Sequence, residues 1–434
     1  MAHIRPFVGI HFNKQLFPDI SDLIAPPYDV LDEASKAALQ SKHPNNIVSI
    51  DLPHLPPKSV GPDATYEEAN QTFQRWLAEG TLTRDRRPAT YAYAQTFQHG
   101  PRTIHRHGMI CLVRLSPFGA GEVVPHEKTY DAPIEDRLKL MRATGLQLSP
   151  IFGLFSDPRN EVTSLLFKNL AKPDLTATLD GVQNDLWSVI DADIENPIID
   201  LLKHKPIYIA DGHHRYTTAL QYQKELEAQN GGPLPPNHPA NYCMFVLVSM
   251  QDPGLLILPT HRLIGGLSDF SPAAFKASLL DNFDMTETLI RPDQLLAFAD
   301  TLEKGDTATF GLYDGKSRKA YTLHLKNPQL LTSLSPDKSE SWQRLDVAIL
   351  QRYLLDEILQ PHFAGGKELV KGYTADPSTI ARDVDGSKFQ IALLLKSTPL
   401  HALEDLSKHN EVMPQKSTYF FPKLATGMVF NPLR

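Results

Sequence analysis

The stretch Tyr208-Ile209-Ala210-Asp211-Gly212-His213-His214-Arg215-Tyr216 leads from an apolar run through a turn into helical spacing. N–H groups at a helix start attract anions, and the helix macrodipole adds to that attraction. Gly212 would let the backbone approach a phosphate closely. Arg215 offers a planar fork of donors that matches phosphate oxygens, and His213 and His214 can add further donors. Asp211 could position a Mg²⁺ ion or hold the turn. Two histidines and an arginine in a first helical turn do little for stability, because that end of a helix favours anions. The pattern reads as a site for a phosphate-bearing ligand.

Three other stretches carry candidate chemistry. Val124-Pro125-His126-Glu127-Lys128-Thr129 places an acid beside a histidine and a cation, and Glu127 could act as a general base. Leu258-Pro259-Thr260-His261-Arg262 ends a strand with a His-Arg pair that could add a second phosphate contact. Lys416-Ser417-Thr418-Tyr419 and Lys423 bring lysines and hydroxyls near the C-terminus, where a terminal strand is the plainer reading. His105 and His107 share one face of a strand, but no third ligand stands at a metal-binding spacing.

The elements that must position these groups follow from periodicity. Ala69, Phe73, Trp76 and Leu77 predict a helix over Tyr66–Glu79, which Gly80 can cap. Thr90–Phe97 and His105–Leu115 predict an antiparallel strand pair. Asp131-Ala132-Pro133 reads as a helix start, with Ile134, Leu138 and Met141 on one face and Gly145 at the end. Strands are expected at Pro150–Phe155, Pro206–Ala210, Tyr242–Val248 and Leu255–Leu258, with a helix over Tyr216–Gln229. Further on, strands are expected at Ala308–Tyr313, Ala320–Leu325 and Gln390–Lys396, and a helix at Leu345–Leu359.

The chain has 434 residues, 41% hydrophobic and 21% charged, enough for two or three folded domains. The expected class is α+β, in three segments: 1–116, 117–266 and 267–434. Lys and Arg total 43 against 50 Asp and Glu, a net charge of −7. That balance opposes general nucleic-acid binding, because phosphate neutralisation dominates such affinity. Cys111 and Cys243 lie in apolar runs and read as buried thiols of a reducing compartment. No stretch approaches the length of a membrane span, and the first residues lack a signal-peptide core. A soluble, cytoplasmic protein is expected.

Taken together, His126-Glu127, Asp136-Arg137-Leu138, Thr144-Gly145, Ser149-Pro150-Ile151, Asp211 to Arg215 and Ala219-Leu220 resemble the ParB/sulfiredoxin-like nucleotide-binding fold. They resemble in particular the branch that contains the ADP-dependent free serine kinase. The whole chain resembles the family named domain of unknown function 1015, through Ala25 to Val30, His126 to Phe155, Ile209 to Leu220, Pro259 to Arg262 and Met413 to Lys423. The resemblance implies a nucleotide-binding core between accessory segments, with ADP or ATP and Mg²⁺ as cofactors. It implies phosphoryl transfer to a small hydroxyl-bearing metabolite, serine being the type substrate. Gly212, His213, His214 and Arg215 would hold phosphates, with His126, His261 and Arg262 as further contacts. Asp211 would place metal or substrate, and Glu127 would take the hydroxyl proton.

Sulfiredoxins carry a catalytic cysteine where this chain has His213, so sulfinic-acid reduction is not expected. No helix-turn-helix pattern follows Gln229, so no sequence-specific nucleic-acid partner is expected either. The 84 positions between Glu127 and Asp211 (211 − 127) point to an insertion at about Ser156 to Leu202. Two other readings stay open: a nucleotide-binding switch without catalysis, and a metal-dependent hydrolase using His126, Glu127, Asp211 and His214.

Overall fold

The computed structural model describes residues 3–56, 59–120, 122–127, 131–305, 308–384 and 388–434. The chain divides into two compact units. The first comprises Met1–Pro125, Thr129–Leu255 and Pro422–Arg434, and the second His126–Lys128 and Leu256–Phe421. The architecture is α+β, as expected, with a large mixed sheet in the first unit.

That sheet has nine strands among the described residues: β1 (Ile4–Arg5), β2 (Thr90–His99), β3 (Arg102–Arg114), β4 (Val123–Val124), β5 (Ile151–Phe155), β6 (Leu175–Leu179), β7 (Val182–Val189), β8 (Ile207–Asp211) and β9 (Tyr242–Ser249). Their order is β4-β8-β5-β9-β3-β2-β7-β6, with β1 beside β3. The sheet therefore draws strands from both the first and the second expected segment. β2 and β3 form the expected antiparallel pair. β9 runs antiparallel to β3 and parallel to β5, while β8 lies antiparallel to β5. The stretch expected as an insertion contributes the hairpin β6–β7, which extends the sheet past β2. Asp180 and Gly181 turn that hairpin with φ of 49° and 77°, the left-handed pair that a two-residue hairpin turn demands.

Among the helices of the first unit are α1 (Asp63–Ala78), α2 (Asp131–Thr144) and α3 (His213–Asn230), of which α3 packs on the sheet and α2 packs on α3. Tyr216 and Ala219 of α3 join Ile151, Phe155, Ile207, Ile209, Phe245 and Leu247 in the core. The continuous apolar runs of β5, β8 and β9 are thus explained by burial on both faces. Tyr222 of α3 meets Leu138 and Met141 of α2. Cys111 and Cys243 are buried, and burial pushes both thiols up, Cys243 to about 12.

The second unit holds β10 (Leu256–Leu258), β11 (His261–Gly265), β12 (Phe283–Thr288), β13 (Thr309–Asp314), β14 (Lys319–Leu325), β15 (Val370–Thr374), β16 (Ile391–Leu394) and β17 (Tyr419–Phe421). Six of them make an antiparallel sheet in the order β12-β14-β13-β16-β11-β15, and β10 pairs with β17. The helix over Leu295–Lys304 packs Leu295, Phe298 and Leu302 on this sheet. The helix expected at Leu345–Leu359 begins at Asp346 and widens into π geometry over Leu350–Leu359. Among the described residues no helix is long and apolar enough to cross a membrane.

Candidate functional site

β8 ends in a bulge. Ile209 pairs with Gly153 and Asp211 with Phe152, so Ala210 is an extra residue on that strand. A bulge re-aims the side chains that follow it. Gly212 then adopts φ 99° and ψ 26°, a left-handed conformation that favours glycine. A Cβ there would come within 3.0 Å of the Arg215 guanidinium. α3 starts at once, at His213, three residues earlier than its apolar spacing indicates, and its first turn contains no acidic residue.

Asp211 is the anionic centre of this turn. Its Oδ1 accepts from Lys423 Nζ at 2.9 Å and its Oδ2 accepts from Arg215 Nη2 at 2.9 Å. Burial alone would raise the carboxyl, but Lys423 and Arg215 outweigh it and hold it well below the usual carboxylate range. The other Nη of Arg215 donates to the carbonyl of Pro150, which ties the turn to the start of β5. Beneath the turn lies a buried ionic cluster. Arg137 donates to Asp136 Oδ2 at 2.7 Å and to the carbonyl of Asp51 at 2.6 Å, and it lies 4.2 Å above the Tyr28 ring. Tyr66 of α1 donates to the other oxygen of Asp136 at 2.7 Å. Tyr28, Asp51, Arg137, Ser149, Arg215 and Thr218 help to line a cavity of about 40 Å³. That space suits a water or a carboxylate-sized group, not a nucleotide.

The charge is distributed with a purpose. In the deep cluster two carboxylates, Asp51 and Asp136, face one cation, Arg137, and all three are buried. At the partly accessible turn one carboxylate faces two cations, with His213 adding to the positive field. An incoming anion therefore meets the positive end of the arrangement.

In the second unit, His126 is buried and its Nε2 shares a hydrogen bond of 2.9 Å with Thr418 Oγ1. The same nitrogen stands 3.8 Å from Glu127 Oε1. Glu127 Oε1 accepts from the Ser417 backbone N–H at 3.1 Å. Lys128 and Thr129 of this loop lie outside the described residues. His261 and Arg262 are neighbours on β11 and so point to opposite faces. Arg262 is buried, donates to the carbonyls of Thr260 and Gln415, and stacks 5.1 Å from the Tyr373 ring. Burial lowers its pKa to about 10. His261 is fully buried, and its Nδ1 accepts from Leu395 N–H at 3.3 Å. Its Nε2 has no hydrogen-bond partner among the described residues. Burial, then the nearby Arg262 charge, push its pKa down to about 4.

The family model for "Protein of unknown function (DUF1015)" matches residues 4–348. The chain belongs to this family. No curated protein matches it at a significant level. Among solved structures, a variant of the free serine kinase in complex with AMP aligns at 11% identity, over 69% of this chain and 84% of that one, with a TM-score of 0.34. SbnI with a C-terminal truncation, from Staphylococcus aureus, aligns at 12% identity over 75% and 87%, with a TM-score of 0.35. A conserved hypothetical protein from Pyrococcus furiosus aligns at 14% identity over 70% and 89%, with a TM-score of 0.33.

In this DUF1015 chain the candidate residues thus fall into two groups. Asp211, Gly212, His213, His214 and Arg215 form the turn of the first unit, and His126, Glu127, His261 and Arg262 belong to the second. Both oxygens of Asp211 are taken up by cations, so a Mg²⁺ ion there would have to displace one of them. Among the described residues no group of three His, Cys, Asp or Glu is placed to hold a metal ion. His105 shares a hydrogen bond with Thr96, and His107 lies 3.3 Å from Asp252. Sequence reasoning missed Lys423 as the partner of Asp211, and it missed the Tyr28–Asp51–Arg137 cluster. Arg106 in the run His105 to Leu115 and Gln95 in Thr90–Phe97 are signals in the sequence of the polar network on this sheet.

Proposed function

We propose that this protein binds a nucleotide by its phosphates at the Asp211–Arg215 turn and transfers a phosphoryl group to a small hydroxyl-bearing metabolite. The observation that carries the reading is the turn itself. A bulged strand, a left-handed glycine and a helix start present one carboxylate beside two cations and His213, in a partly accessible position. Phosphoryl transfer demands mainly positioning and charge neutralisation, and these are what such a turn supplies. The motif resemblance to the ParB/sulfiredoxin-like fold favours a nucleotide, ADP or ATP, over other phosphates.

In this reading Lys423, Arg215 and the first N–H groups of α3 attract the phosphates. Gly212 allows close approach. Glu127, fixed by Ser417, takes the acceptor's proton, with His126 beside it. Ser417 and Thr418 hold Glu127 and His126 within the second unit, and Lys423 holds Asp211 within the first. Asp211 acts as the ionic anchor of the turn. Mg²⁺ would accompany the nucleotide, although Asp211 as arranged has no open oxygen for it.

A second reading, a nucleotide-binding switch, is favoured by one observation: both oxygens of Asp211 are paired with Lys423 and Arg215, which leaves neither open for the Mg²⁺ of phosphoryl transfer. Calorimetric titration with ADP, ATP and CTP, with and without Mg²⁺, followed by product analysis with small alcohols and amino acids, separates the two. Binding with turnover is the expected result. Binding without turnover supports the switch, and no binding of any nucleotide overturns both.

A further inference from the structure

We propose that Lys423 is the phosphate-gripping residue of the nucleotide site, presented there by a C-terminal strap that a buried polar network clamps to the central sheet. The inference rests on the reading of the Asp211–Arg215 turn as a phosphate site, and it names the residue that contacts the diphosphate group.

The two cations at the turn are not equivalent. Arg215 spends both Nη groups inside the protein, on the Pro150 carbonyl and on Asp211. Turning it toward a ligand would unfasten β5 from the turn. Lys423 Nζ donates to Asp211 Oδ1 at 2.9 Å. An ammonium has three donors on a flexible stem and serves as a point charge for phosphate. It can leave one carboxylate oxygen for a phosphate oxygen while Arg215 keeps Asp211 in place.

The backbone under Lys423 is held with unusual care. The carbonyl of Pro422 accepts from Arg106 Nη2 at 2.6 Å, and the carbonyl of Lys423 accepts from Gln95 Nε2 at 3.1 Å. Arg106 and Gln95 hydrogen-bond to each other and are 2% and 1% exposed. Gln95 Nε2 also donates to Asn184 Oδ1 at 3.0 Å, which accepts in addition from Tyr93 O–H at 2.6 Å. The Arg106 guanidinium lies 4.7 Å from the Phe152 ring, on the residue that pairs with Asp211. Burying a guanidinium against carbonyl and amide oxygens is costly, and stability alone is better served by apolar packing. Beyond Lys423 the strap is fixed again, because Thr426 exchanges backbone hydrogen bonds with Ala25 and its hydroxyl meets Ser149 Oγ at 2.9 Å. The Cα of Lys423 is thereby fixed while its side chain stays partly exposed, at 17%. A pre-set backbone carrying one adaptable cation is the arrangement of a ligand contact.

The test is calorimetry on the full chain with three probes: ADP, inorganic pyrophosphate and adenosine. The proposal expects Lys423→Met to weaken ADP about 10–100-fold, the size of a lost charged hydrogen bond, and to leave adenosine unchanged. A parallel loss for pyrophosphate assigns the contact to the diphosphate group as such. A loss for ADP alone assigns it to the nucleotide's own phosphates. Lys423→Arg should restore most of the ADP affinity. If the Met variant does not fold, Lys423→Gln keeps a donor to Asp211 and must show the same selective loss. ADP binding equal to that of the parent in either variant overturns the proposal while leaving the turn as a phosphate site. A parent chain that binds neither ADP nor pyrophosphate overturns the turn reading, and this proposal with it.

Discussion

The Asp211 turn and the His126-Glu127 loop each set a carboxylate beside histidine, yet they are wired differently. Asp211 is held by side chains, Lys423 and Arg215, whose charges exceed its own. Glu127 is held by a backbone N–H, that of Ser417, and its neighbour His126 is buried. A side-chain ion pair can be exchanged for a ligand's charge, because a lysine can rotate away. A backbone hydrogen bond fixes its acceptor and is not easily exchanged. The first arrangement suits binding of an anion, and the second suits a group that must stay in one place while a proton moves.

The largest expected effect tests that division of labour. Glu127→Gln keeps an oxygen for Ser417 and removes the base. Turnover should fall by about 10²–10⁴ with nucleotide affinity unchanged. A coupled assay beside calorimetry reads both quantities, and a variant as active as its parent would remove Glu127 from the chemistry.

Acid should also separate the Asp211 turn of the first unit from His261 of the second. His261 stays neutral in the folded protein down to about pH 4, whereas the unfolded chain takes up that proton near 6.5. Stability from this group is therefore complete above pH 6.5 and declines as pH falls toward 4, by about 3 kcal/mol in all. Asp211 is depressed instead, so its ion pairs persist through that window and are lost only well below the usual carboxylate pKa. Urea titrations of the parent and of His261→Leu at pH 7, 5.5 and 4.5 should converge as pH falls. A constant gap between them would contradict the burial argument.

The smallest effect concerns the turn's backbone. Gly212→Ala must hold a Cβ at φ 99° and 3.0 Å from Arg215. A loss of about 1–2 kcal/mol is expected, with weaker nucleotide binding. The matching change at the half-buried Gly232, which has open space and an ordinary φ, should cost less. Equal melting temperatures for Gly212→Ala and the parent would show that the turn is not strained.

Much of the local framework was legible because its causes are local. Of the α1 stripe, Ala69, Phe73 and Trp76 are buried as the period requires, while Leu77 is half-buried. The β2–β3 pair and the strand–turn–helix around Asp211 also stand where apolar runs and glycines put them. The start of α3 was less legible. His213 to Arg215 are helical although nothing apolar marks them, since the helix is nucleated by the bulge and Gly212 before it. The hairpin β6–β7 read as an insertion because its partner, β2, lies 87 to 99 residues earlier, from Thr96 opposite Gln183 to Thr90 opposite Val189.

By itself, then, the sequence determined which elements would carry the proposed phosphate-binding residues, because caps, turns and periodicity act over a few residues. Tertiary structure alone decided which cation answers Asp211. Lys423 lies 212 positions away, and a lysine near a terminus looks the same whether solvated or ion-paired. It likewise decided that Arg106 and Gln95 would clamp Pro422 and Lys423, and that His261 and Arg262 would be buried. Those outcomes depend on how the sheets pair over long range, and no local pattern records that.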